Sequence, residues 1–186
     1  EKNYIKNKAG RILSTVKDAQ IEEFTITESA FIPLPLEGDE EMKYQESVQI
    51  VLNSSSKKNE FQKSFSILEE RHSKYPDSPQ ISNNYASALS RLGKYEEAKK
   101  IISDCFAAHP EYVFGAANYL NFLVAEKKID EAKAMYDNYR LPKAVHPLAY
   151  LSWYNVATKY LALIDDKKSI NQMKKIRNKI IKEFDL

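Results

Sequence analysis

The stretch that decides the fold runs from Pro79 to Tyr112 and reads PQISNNYASALSRLGKYEEAKKIISDCFAAHPEY. Tyr85, Ala86, Leu89 and Leu92 recur in it at helical spacing, and Gly93-Lys94 then interrupts the pattern. Periodicity resumes at Tyr95-Glu96-Glu97-Ala98 and continues through Ile101, Ile102, Cys105 and Phe106 until His109-Pro110 ends it. The segment therefore predicts a helix, a tight turn and a second helix.

Moving outward, the same layout returns 34 residues later. Asn118 takes the place of Asn84, Tyr119 of Tyr85, Leu123 of Leu89, Ile129 of Tyr95 and Ala132 of Ala98. In a third copy Trp153, Asn155, Ala157 and Tyr160 form the first helix, and Ser169, Ile170, Met173 and Ile176 open the second. The shift there is 37 residues, which predicts a three-residue insertion between Pro142 and Pro147. Backwards along the chain, Phe61, Ser64, Phe65 and Leu68 reproduce second-helix positions ahead of Pro76, with a partner helix over about 41–53. That leading copy is the most degenerate. The expected hairpins are 41–77, 79–110, 113–141 and 147–184, in one repeat domain over 41–186.

Ala86, Gly93, Tyr95, Ala98 and Pro110 together resemble the motif of the tetratricopeptide repeat (TPR) family. Small side chains at Ala86 and Ala98 would let paired helices approach closely, and Pro110 would end one hairpin and orient the next. The sequence departs from the family pattern at Lys127, where the turn Gly is expected, at Ser169, where Ala is expected, and at Ser82, where an aromatic is expected. The resemblance implies an all-α fold: a right-handed α-α superhelix of about four hairpins preceded by an irregular N-terminal segment. Pentatricopeptide repeats, which bind RNA, would call for a basic inner face, and that face is mostly uncharged here. Repeats of Sel1 type are matched only by the last interval.

In the TPR-like register the first helix of each hairpin lines a concave groove. Asn84, Asn118 and Asn155 would form a ladder of amides along it, joined one turn later by Ser87, Asn121 and Thr158. An amide offers both donor and acceptor to an extended backbone whatever its sequence. The alternative role for these asparagines is a hydrogen bond to the neighbouring repeat. Phe114, Phe122 and Tyr154 would supply apolar side walls, and Arg91 is the one cation placed to hold a carboxylate. The resulting expectation is a scaffold that binds a protein or peptide segment. Two other classes stay open: a nucleic-acid-associated repeat using the last helix, and a regulatory region of a larger enzyme.

Residues 1–40 lie outside the repeat. Ile5, Ala9, Ile12, Leu13 and Val16 suggest a short helix, weakened by Gly10, and Phe24-Thr25-Ile26-Thr27 alternates like a strand. Ala30 to Leu36 carries Pro33 and Pro35, which impose extended backbone. The segment reads as a linker, as the tail of a preceding domain, or as a built-in ligand whose residues 24–36 compete for the groove.

At the other end, Ile170, Met173, Ile176, Ile180, Ile181 and Phe184 share one helical stripe, opposite Lys168, Lys175, Lys179 and Lys182. This predicts a terminal cap with a wet outer face, or a basic surface for an acidic partner.

Positive and negative residues nearly cancel, 28 Lys and Arg against 26 Asp and Glu, so no global field favours a polyanion. No apolar run reaches membrane-spanning length, and Glu1 to Lys8 is too polar for a secretory leader. A chain that opens on Glu1 is expected to be processed or a fragment, and a reducing, cytoplasmic setting fits its single cysteine, Cys105. His72, His109 and His146 show no metal-ligand spacing, and a place near a helix C-terminus is expected for His109 and His146. Gly10, Gly38, Gly93 and Gly115 stand alone, so no phosphate-cradling loop is expected, nor a cofactor or catalytic residue.

Overall fold

The structure, a computed structural model, describes residues 11–17, 20–30 and 32–186. Helices dominate it: α1 (Gly38–Leu52), α2 (Lys58–Lys74), α3 (Pro79–Arg91), α4 (Tyr95–Ala108), α5 (Val113–Ala125), α6 (Ile129–Asn138), α7 (Pro147–Leu163) and α8 (Lys167–Phe184). Three strands join them: β1 (Arg11–Lys17), β2 (Gln20–Ile26) and β3 (Ala144–Val145). α1 packs on α2, α3 on α4 and α7 on α8, so consecutive helices pair as hairpins.

The turns show the repetition most directly. In the α3–α4 turn Gly93 N–H donates to the Ser90 carbonyl and Lys94 N–H to the Leu89 carbonyl, both at 3.0 Å. Lys127 and Lys128 donate in the same way to Val124 and Leu123, and Asp165 and Asp166 to Ala162 and Leu161. This paired arrangement satisfies carbonyls that a helix C-terminus leaves without partners, and it needs a left-handed residue at the first position. Gly93 (φ 79°), Lys127 (φ 58°) and Asp165 (φ 56°) all adopt that conformation. The α1–α2 connection is built differently, with Asn53 N–H on Gln49 O and Ser56 N–H on Asn53 O, which is why the leading copy is so hard to align.

The strands add a small sheet to the expected helical fold and correct the expected N-terminal helix. From Arg11 to Lys17 the chain is strand, paired antiparallel with β2 from Arg11↔Ile26 to Lys17↔Gln20; the rest of the expected helix lies outside the described residues. β-branched Ile12, Thr15 and Val16 have modest helix propensity, and an adjacent partner strand decides the outcome. β3 in turn pairs parallel with β2, Thr25↔Ala144 and Ile26↔Val145. The insertion expected between Pro142 and Pro147 therefore has a structural role: it supplies the third strand.

By contacts the chain divides into two compact units, Ile32–Phe122 and Glu1–Phe31 with Leu123–Leu186, a division that falls inside α5 and differs from the single domain expected over 41–186. In the first unit, Tyr44, Val48 and Val51 of α1 cluster with Phe61, Leu68, Ile81 and Ala88, and Leu36 joins them from the segment before α1. Ala86, Leu89, Ala98 and Ile102 form a second cluster; Ala86 and Ala98 are buried, as close helix approach requires. In the second unit Trp153 stacks on Tyr136 and meets Tyr139, Tyr160 lies against Tyr136, and Phe24 of β2 stacks on Tyr150 at 5.5 Å. Met173, Ile176, Ile180 and Phe184 bury the apolar stripe of α8.

Candidate functional site

The polar residues of α3 recur every three or four positions: Gln80, Asn83 and Asn84, Ser87 and Arg91. Helical geometry puts them on one face. Gln80 is 8% exposed and its Nε2 donates to the Ile32 carbonyl, in the segment that precedes α1. One turn on, Asn84 Nδ2 donates to the Tyr44 hydroxyl of α1 at 2.8 Å. Burial pushes the Tyr44 phenol up to about 12, so it stays protonated and the asparagine answers an acceptor that water cannot reach. Asn118 of α5 donates to Asn83 Oδ1 at 2.7 Å, and Ser87 Oγ donates to the Asn83 carbonyl within its own helix.

Arg91 closes the face. Its guanidinium donates to the carbonyls of Val51 and Asn53 at 2.7 Å, of Ser54 at 3.2 Å and of Ile50 at 3.3 Å, and it lies over the Phe61 ring at 4.7 Å. These are carbonyls at the α1 C-terminus, where a cation complements both the unpaired acceptors and the helix dipole. Arg91 is thus engaged by its own chain rather than standing ready for a ligand's carboxylate.

The other residues expected at the groove are divided between the two units. Asn155 of α7 is exposed, while Thr158 Oγ1 donates to the Tyr154 carbonyl at 2.8 Å. The Tyr154 ring carries the Arg177 guanidinium at 5.6 Å. Phe114 is tilted against Tyr112, Phe122 packs on the cluster around Ala86, and Asn121 is half-buried. Two of the three ladder asparagines, Asn84 and Asn118, thus bond to neighbouring helices. Gln80, which the spacing argument passed over, is a side chain that bonds to main chain outside the helices. Its signal was present in the sequence as a polar residue one turn before Asn84.

The segment 24–36 is docked in two places. Thr25 and Thr27 donate to the carbonyls of Lys143 and Val145 at 2.8 and 3.0 Å, and Phe24 and Ile26 are buried. Leu34 and Leu36, within the other unit, lie against the cluster of α1, α2 and α3.

The titratable groups have structural roles. His146 is the N-cap of α7, its Nδ1 accepting from Leu148 N–H at 3.3 Å, which corrects the expected place near a helix C-terminus. His109 does end α4, 3.5 Å from Glu111. His72 Nδ1 and Ser82 Oγ are hydrogen-bonded at 3.2 Å, and the ring stacks on Tyr85; burial holds it below the usual imidazole range. Burial pushes the Cys105 thiol up to about 11, well away from a reactive thiolate. Among the described residues no cluster of His, Cys, Asp or Glu could hold a metal ion, and no helix is long and apolar enough to cross a membrane.

No family model matches the chain, and no curated protein does. Among solved structures it is similar to the MamA RS-1 ArsTM double mutant, at 14% identity and a TM-score of 0.44, over 79% of this chain and 92% of that one. It is also similar to MamA 41-end from Desulfovibrio magneticus RS-1, at 17% identity and 0.43, with the same coverage. Likeness at that level carries no argument about function.

Proposed function

We propose that this chain is a TPR-like helical-repeat binding module that holds an extended segment of another polypeptide against the polar faces of its first helices. The observation that carries the reading is the hydrogen bond from the buried Gln80 amide to the Ile32 carbonyl, in which an α3 side chain grips main chain without reference to its side chains. Asn83, Ser87 and Asn118 continue polar chemistry along the same helices, and Asn121 offers a further amide. The ladder is narrower than its spacing suggests, because Asn84 and Asn118 also join neighbouring helices. Extended peptides selected from a random library against the full chain should produce saturable backbone shifts along α3 and α5 in NMR spectra of the labelled protein. Shifts confined to other helices, or no selectable peptide, would overturn the reading.

A second reading rests on α8, which carries seven cationic residues against one acid and exposes Lys174, Lys175, Lys179 and Lys182. Such a face could meet an acidic partner or RNA. It predicts a strongly salt-dependent RNA shift that charge reversal at Lys175 and Lys179 abolishes; a shift independent of salt or of those charges would contradict it.

A further inference from the structure

His146 stands where β3 gives way to α7, and two kinds of bond meet there. The ring Nδ1 accepts from Leu148 N–H at 3.3 Å, while the His146 carbonyl accepts from Tyr150 N–H at 3.0 Å as the helix begins. Pro147, at the first helical position, has no N–H, so Leu148 offers the first donor of α7 and the imidazole answers it. Leu148 itself is exposed. The pairing of β2 with β3 does not use the ring: Thr25 and Thr27 donate to the carbonyls of Lys143 and Val145.

An imidazole accepts only at a nitrogen that carries no proton. The bond from Leu148 therefore belongs to the neutral ring with its proton on Nε2. Protonation fills Nδ1, removes the cap, and sets a positive charge at a helix N-terminus, where the dipole opposes it. A different partner is at hand. Glu28 lies in the turn after β2, closed by Ala30 N–H on the Thr27 carbonyl at 3.1 Å, and the register Ile26↔Val145 carries that turn alongside His146. Burial lowers the imidazole below its ordinary value, and the Glu28 carboxylate opposes that effect. Of the other titratable groups beside the ring, Lys143 is exposed ahead of it, and Tyr150, one turn into α7, is buried and stays protonated.

We infer that His146 is a pH-operated switch at the start of α7. Neutral, it caps the helix; protonated, it gives up Leu148 and pairs with the Glu28 carboxylate. The first turn of α7 then opens in acid while β2 and β3 stay paired. The device is independent of the binding function proposed above.

The test is amide exchange and a histidine titration by NMR on the full chain. Protection at the Leu148 amide is expected to fall at least tenfold between about pH 7.5 and about pH 5.5, with Thr27 nearly unchanged. His146→Asn caps without titrating and should leave Leu148 protection flat across that range. Glu28→Gln should move the midpoint of the His146 ring titration to lower pH, because the carboxylate that favours the charged ring is gone. Leu148 protection that does not change with pH, that falls equally in the His146→Asn chain, or a midpoint unmoved by Glu28→Gln would overturn the proposal. So would equal loss at the Ala86 amide of α3, which marks general acid unfolding. Should His146→Asn fail to fold, the unaltered chain decides: the ring of His146 and the Leu148 amide should titrate with one midpoint, and separate midpoints refute the switch.

Discussion

Arg91 is a charged residue whose work is local. Four carbonyls at or just beyond the C-terminus of α1 accept from it, and its plane covers Phe61. Replacing it with Ala should cost about 1–2 kcal/mol in denaturant melts, and Lys, which lacks the planar fork, should recover little of that. Lys127 makes the opposite case, a residue at odds with its backbone. It holds a left-handed conformation that Gly93 adopts freely in the equivalent turn. Lys127→Gly should therefore stabilise the chain by about 0.5–1 kcal/mol, the relieved strain outweighing the added chain entropy. His72 and His146 supply the pH dependence, since burial lowers both below the ordinary imidazole value. The unfolded chain protonates them first. Stability is then fully present above about pH 6.5, the unfolded value, and is lost as pH falls through the lowered folded values. Urea titrations across that range should show the loss, and His72→Gln should shrink it.

The helical hairpins were legible at the scale of elements because their signals are local. Gly93, Pro110 and the spacing of Tyr85, Ala86 and Leu89 each fix a turn or a face without help from distant residues. Ala98 is the sharpest check on that register, being fully buried between paired helices. Ala98→Leu should overpack the contact and cost about 1–3 kcal/mol, with a neutral melt counting against the packing described. The β-sheet was only half legible. Alternation at Phe24–Thr27 marked one strand, but β3 has two residues, and its partner lies more than a hundred residues earlier in the chain. Strand pairing at that separation leaves no local trace in sequence. Arg11–Lys17 read as helix for the same reason: its pattern is ambiguous until β2 is placed beside it.

At the scale of the whole molecule, the amide that spacing selects and the amide that bonds to main chain before α1 lie one turn of α3 apart. Counting back one position from Tyr85 selects Asn84, whose amide the Tyr44 hydroxyl of α1 engages; the grip on main chain falls to Gln80, one turn earlier. Which amide is spoken for depends on tertiary partners, and spacing within one helix does not reveal them. The division of the segment before α1 between a β-sheet and a helical surface emerges only from the fold. The central claim is that these helices hold extended polypeptide by its main chain. A crystal structure of the full chain with a library-selected peptide tests it most directly. The account predicts the peptide extended along the α3 face, with one residue's N–H and C=O both bonded to the Gln80 amide. A peptide bound as a helix, or seated on α8 with Gln80 still holding Ile32, would contradict it.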